Sequence, residues 1–164
     1  MRKDTRGFSL IELLIVVAII LIIAAIAIPN LMRARMSASQ ASAVGSLRTL
    51  NDAEAMYSSQ YGTGFSPTLS SLGPPGAGGA AGPSAAGMID SLLAGTGNTS
   101  AKQGYTFTYS ATPDSAGRYD TYSITAAPTT PGTTGTNYYY TDHTGAIRQN
   151  STRPATASDP PIGG

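Results

Sequence analysis

The chain has no cysteine in its 164 residues. That excludes a disulfide framework and a zinc site built on thiolates, so stability must come from a packed core, from assembly, or from both. Charge is scarce as well. Ten Lys and Arg stand against nine Asp and Glu, a net +1 that gives no reason to expect a nucleic-acid partner. Histidine occurs once, as His143 in a turn-forming stretch, and a lone turn histidine supplies neither a nucleophile-base pair nor a metal set. Asp114, Asp120 and Asp142 could in principle gather around calcium, but no dense acidic loop motif accompanies them. Gly95-Thr96-Gly97 is an isolated pair of glycines without a phosphate-loop context. Nine tyrosines alternate within strand-like runs and lack interleaved basic residues, which suits a sheet better than a base-stacking surface. No catalytic residue, no metal site and no cofactor is expected, and the chain reads as a non-enzymatic protein.

What is abundant is aliphatic carbon. From Phe8 to Pro29 the sequence FSLIELLIVVAIILIIAAIAIP carries no charge after Glu12 until Arg33. As a helix it would span about 33 Å, enough to cross a hydrocarbon core of ~30 Å. Glu12 sits inside the edge of this run, where an ionisable residue is a functional hypothesis by default. Residues 1–7, MRKDTRG, hold three of the ten basic residues and one of the nine acidic ones, leaving the remainder at −1. The basic head argues for a cytoplasmic amino terminus and an exported carboxyl-terminal part, weakly opposed by Arg33 and Arg35. The bland alternative is a secretory signal cut after Ala25-Ile26-Ala27, which leaves Glu12 unexplained.

Beyond Pro29 there is no proline until Pro67, and Val44, Leu47, Leu50, Ala53, Tyr57 and Tyr61 recur every three or four residues. This is one amphipathic stripe, residues 30–61, stopped by Gly62 and Gly64. The two stretches therefore read as one helix of about 54 residues, kinked at Pro29. Between them Ala34, Ser37, Ala38, Ser39, Ala41, Ser42, Ala43 and Gly45 form a collar of small side chains that either lets helices approach closely or merely faces solvent.

The head ending in Gly7, the run Phe8-Ser9-Leu10-Ile11-Glu12-Leu13-Leu14, the uninterrupted apolar segment and Pro29 resemble the amino terminus of the type IV pilin superfamily. The resemblance covers about the first 35 residues. It implies that a membrane prepilin peptidase cuts between Gly7 and Phe8 and methylates the new amino group of Phe8. It also implies that Glu12 is needed for assembly, on an inner-membrane platform, into a homopolymer or a co-polymer with other pilins. After cleavage, the only cation that the segment itself can offer Glu12 is the terminal amine of Phe8, from its own chain or from an incoming neighbour. Removing one partner of a buried pair costs about 3 to 5 kcal/mol, so the second arrangement would report axial register. The family also implies partial melting near Pro29, compatible with the β-branched Ile26 and Ile28 beside it.

After residue 61 the composition shifts to glycine, proline and serine. Residues 62–104 read as a connecting loop with one short apolar piece, Met88 to Leu93, that could make a helical turn. Residues 105–150 read as about four antiparallel strands, YTFTYS, TYSITAA, NYYYTD and AIRQ, with turns at Asp114–Gly117 and Asp142–Gly145. Their apolar face needs the helical stripe as cover, an α+β arrangement of a long helix on a small sheet. Residues 151–164 lack any period and are expected to be a disordered tail. Asn98-Thr99-Ser100 and Asn150-Ser151-Thr152 match the glycosylation pattern. The function expected is a filament subunit stored in the inner membrane, either a type IV pilin or a type II secretion pseudopilin. A single-pass anchored enzyme or binding protein is the alternative from another class.

Overall fold

In the computed structural model, residues 8–163 are described. Helix α1 spans Leu10–Tyr61 without a break, its 52 residues passing through Pro29. It belongs to two compact units, one ending at Arg35 and the other beginning at Met36. In the first unit the helix buries none of its large side chains. In the second, Ala43, Leu47, Leu50, Ala53, Glu54 and Tyr57 are buried along one face at helical spacing.

The second unit sets this face on a five-stranded sheet in the order β1-β2-β3-β4-β5, every neighbouring pair antiparallel. The strands are β1 (Thr99–Lys102), β2 (Tyr105–Ala111), β3 (Tyr122–Pro128), β4 (Tyr138–Asp142) and β5 (Arg148–Asn150). On β2 the aromatic residues Tyr105, Phe107 and Tyr109 all point inward because side chains alternate across a strand. Opposite Phe107 lies Ala126, and opposite Tyr109 lies Ile124, so a large ring meets a smaller residue across the ladder. With Leu47, Leu50 and Tyr57 from the helix these residues form one core cluster.

Four of the strands match the sequence reading. The fifth, β1, comes from the segment expected to be loop. Thr99–Lys102 has only one buried residue, Ser100, and therefore no apolar alternation to betray it. It is held instead by a two-residue hairpin at Gln103 and Gly104, whose positive φ angles of 50° and 81° suit the right-handed twist of the ladder. Elsewhere in the connector a 3-10 turn at Leu69–Leu72 buries two leucines. Helix α2, Ser91–Ala94, is capped by Asp90, whose carboxylate accepts the Leu93 N–H at 3.0 Å. This helical turn overlaps the end of the piece expected to form one, Met88 to Leu93. Residues 74–85 of the connector, rich in glycine and proline, remain at the surface.

The disordered tail expected after residue 150 is corrected by the structure. Gln149 N–H donates to Pro160 O at 3.1 Å and Ile162 N–H to Ile147 O at 2.8 Å, returning the chain antiparallel to β5. Asp159 is the fastener. It accepts from Asn150 Nδ2 at 2.8 Å, from both terminal nitrogens of Arg153, and from the Thr156 N–H at 2.7 Å. These donors, Asn150 first, hold its carboxyl down to about pKa 2. Periodicity could not reveal a segment ordered by one acid and its donors.

Candidate functional site: the amino-terminal helix

Seventeen large apolar side chains between Phe8 and Met32 are each at least 45% exposed. The helix that carries them contains an 18-residue window of mean hydropathy 3.3, none of it buried, so its length and composition suffice to cross a membrane. Covering a Leu, Ile, Val or Phe side chain is worth about 1.5 to 3 kcal/mol, so seventeen of them sum to tens of kcal/mol. That exceeds the roughly 5 to 15 kcal/mol net stability of a domain. The surface demands a cover.

At the head of the helix, Ser9 and Glu12 are tied together. The Ser9 N–H donates to Glu12 Oε2 at 3.0 Å, while the Glu12 N–H donates to Ser9 O at 3.1 Å. A carboxylate three residues into a helix that reaches back to the preceding N–H is one half of a capping box. It also faces the positive end of the helix dipole. Glu12 thus has a local reason to be in an apolar run. The Ser9-x-x-Glu12 spacing was the sequence signal for this contact. The other oxygen, Oε1, has no hydrogen-bond partner among the described residues. Phe8 is exposed at the start of the described chain, and Gly7, the other side of the expected cleavage site, lies outside it. Pro29 lies inside α1 and, lacking an N–H, leaves the Ala25 carbonyl without its helical donor. In the collar of small residues, Ala43 is buried and Ala34, Ser37, Ala38, Ala41 and Gly45 are exposed.

The remaining polar candidates are committed elsewhere. Asp114 accepts the N–H groups of Ala116 and Arg118 at 2.8 Å, and Asp120 pairs with Arg118 at 2.9 Å. Asp142 accepts from Thr144 N–H and Oγ; burial raises its pKa, but these bonds outweigh it and leave the carboxyl below its ordinary value. Asp114 and Asp142 each close their own turn, Asp120 is taken by Arg118, and among the described residues no three metal-binding side chains gather.

A buried acid escaped the sequence reading. Glu54 is fully buried at the centre of the domain, seven residues after Leu47 and four after Leu50, a spacing that puts it on the core face. Its Oε2 accepts the Ser66 N–H at 2.8 Å and its Oε1 the Ser66 hydroxyl at 2.6 Å. Tyr109 on β2 in turn donates to Ser66 O at 2.7 Å, so helix, connector and sheet meet at one serine. Burial pushes the Glu54 carboxyl above its ordinary value, only partly offset by the Ser66 bonds.

Residues 2–28 match the family described as the prokaryotic N-terminal methylation motif. The chain is 49% identical over 55 residues to the type IV major pilin protein PilA of Myxococcus xanthus, covering 34% of this chain and 25% of that one. It is 60% identical over 37 residues to the type IV wide pilus major component PilA4 of Thermus thermophilus, 23% of this chain and 28% of that one. The chain thus covers about a quarter of the length of these relatives. No solved structure matches it.

Proposed function

We propose that this chain, whose amino terminus carries the signature of the type IV pilin superfamily, is a structural pilin subunit. It is made as a single-pass inner-membrane precursor with its amino terminus in the cytoplasm. It is then cut between Gly7 and Phe8 by a prepilin peptidase, methylated on Phe8, and packed into a helical filament. The observation that carries this reading is the uncovered apolar surface from Phe8 to Met32. Two environments can cover such a rod on all sides: hydrocarbon, and the same segment of other copies. Moving it from one to the other never exposes it to water, so extraction from the bilayer is coupled to packing on the inner-membrane platform.

Glu12 supplies the register. Oε2 stays with the Ser9 N–H and Oε1 takes the methylated amine of a neighbouring Phe8, so an incoming subunit at the wrong height leaves a carboxylate unpaired in a low-dielectric bundle. Pro29 is the weak point at which the helix gives when subunits repack, and exposed Ala34, Ala38 and Ala41 allow neighbouring helices to approach. Both relatives are named as major components of type IV pili, which favours a pilus subunit over a secretion pseudopilin. Intact mass of the protein purified from its host tests the reading: loss of residues 1–7 and gain of one methyl group are expected. Retention of Met1 on a detergent-solubilised monomer would refute it.

A further inference from the structure

The seam between α1 and the sheet opens into a cleft of about 400 Å³ that the filament reading leaves without a task. One wall is the helix, where Arg48, Asp52 and Ala55 follow one another at four and three residues along a single stripe. The other wall is the turn after β4, His143 to Gly145. Phe65 and Tyr122 form the floor, their rings edge to face with centroids 4.7 Å apart. Asn51 fixes the walls to each other. Its Nδ2 donates to Thr141 Oγ at 2.9 Å and to Gly145 O at 3.2 Å, while its Oδ1 accepts the Tyr122 hydroxyl at 3.0 Å. The cleft is therefore preformed, the usual condition of a small-molecule site.

The cleft holds one basic and one acidic side chain, Arg48 and Asp52. Residues 36–163 contain five basic and seven acidic side chains. Lys102, Arg118 and Arg153 are in ion pairs, and Arg148 donates to Asp159 O. Arg48 alone of the five has neither an ion pair nor a hydrogen bond among the described residues, and it stands at the mouth of the cleft. A free guanidinium presents a planar fork that matches a carboxylate. Behind it lie an aromatic floor suited to the apolar C–H face of a ring and Asp52, a carboxylate acceptor for hydroxyl groups.

We propose that this cleft binds an acidic saccharide, a pyranose ring bearing a carboxylate. Arg48 clamps the carboxylate, Phe65 and Tyr122 carry the ring face, and Asp52 accepts ring hydroxyls. The inference is independent of the filament reading, since every residue involved lies in the second unit.

Titration calorimetry of the full chain in detergent, with trigalacturonate as the probe, tests it. One site is expected. The neutral galactose trisaccharide should bind about tenfold more weakly or worse, and acetate should not compete at equal concentration. Arg48→Gln should lose about tenfold or more in affinity, and Ala55→Phe, placed on the exposed helix wall, should block the cleft with the circular dichroism spectrum unchanged. The comparison of acidic and neutral sugars on the unaltered chain needs no variant. Absence of trigalacturonate binding, equal binding of the neutral sugar, undiminished affinity in either folded variant, or displacement by acetate would each overturn the proposal.

Discussion

Replacing Glu54 by glutamine isolates the electrostatic content of the core. The carboxyl is buried, faces no cation within its network, and is held by two donors from Ser66. Glutamine keeps the volume. Its carbonyl oxygen accepts the Ser66 N–H, and its amide can donate to the Ser66 hydroxyl, which is then free to donate to Thr68 O, 3.1 Å away. What is lost is a charge. A carboxyl whose folded pKa is raised above its unfolded value contributes its full stability below the unfolded value of about 4.5, and loses it as pH climbs through the folded value. At pH 4, E54Q should therefore lie within about 1 kcal/mol of the native chain. Above that, the variant should gain on it by up to about 1.4 kcal/mol per pH unit until the native carboxyl is ionised. Glu54→Ala, which leaves the Ser66 N–H unsatisfied beside a cavity, should lie roughly 3 kcal/mol below E54Q at every pH, since neither variant has the titrating carboxyl. Urea unfolding of the full chain in detergent, followed by circular dichroism from pH 4 to 8, gives both differences, and every group other than residue 54 is common to the three chains. A stability difference that stays flat with pH, or that turns in favour of the native chain as pH rises, would refute the reasoning.

At the other end of the chain, Glu12→Ala should leave cleavage intact and abolish filaments, as scored by electron microscopy; normal filament numbers would end the register role. Asp159→Asn removes the charge that Arg153 and Thr156 hold. Amides from Arg148 to Ile162 should then exchange faster in hydrogen exchange while those of β2 and β3 do not, and unchanged protection at Gln149 and Ile162 would contradict the fastening role. Gly104 combines φ +81° with a Thr134 methyl that would lie 3.0 Å from an added Cβ, so Gly104→Ala should lower domain stability by about 1 to 2 kcal/mol in the same urea assay.

Much of this architecture could be read from periodicity. The length of α1, the inward stripe Leu47, Leu50, Tyr57, the aromatic alternation of β2 and the two aspartate turns all follow from repeating apolar or turn-forming patterns. Parts held by polar contacts were not legible. Thr99–Lys102 pairs through its backbone, Glu54 looks like a surface acid until its position on the core face is counted, and residues 151–163 are ordered by hydrogen bonds to Asp159. At the amino terminus Glu12 stood out as a charge in an apolar run, but its bond to Ser9 required the Ser-x-x-Glu spacing to be noticed as a helix cap.

The fastening at Asp159 has a bearing on where the domain can mature. A loop shut by sulfur waits for an oxidant and an isomerase, and it can be opened by any reductant. One shut by a carboxylate closes as quickly as side chains rotate, at any redox potential. It comes undone only in strong acid, as the pH falls below about 4 toward the depressed value near 2. A domain so closed needs no help from oxidative folding machinery.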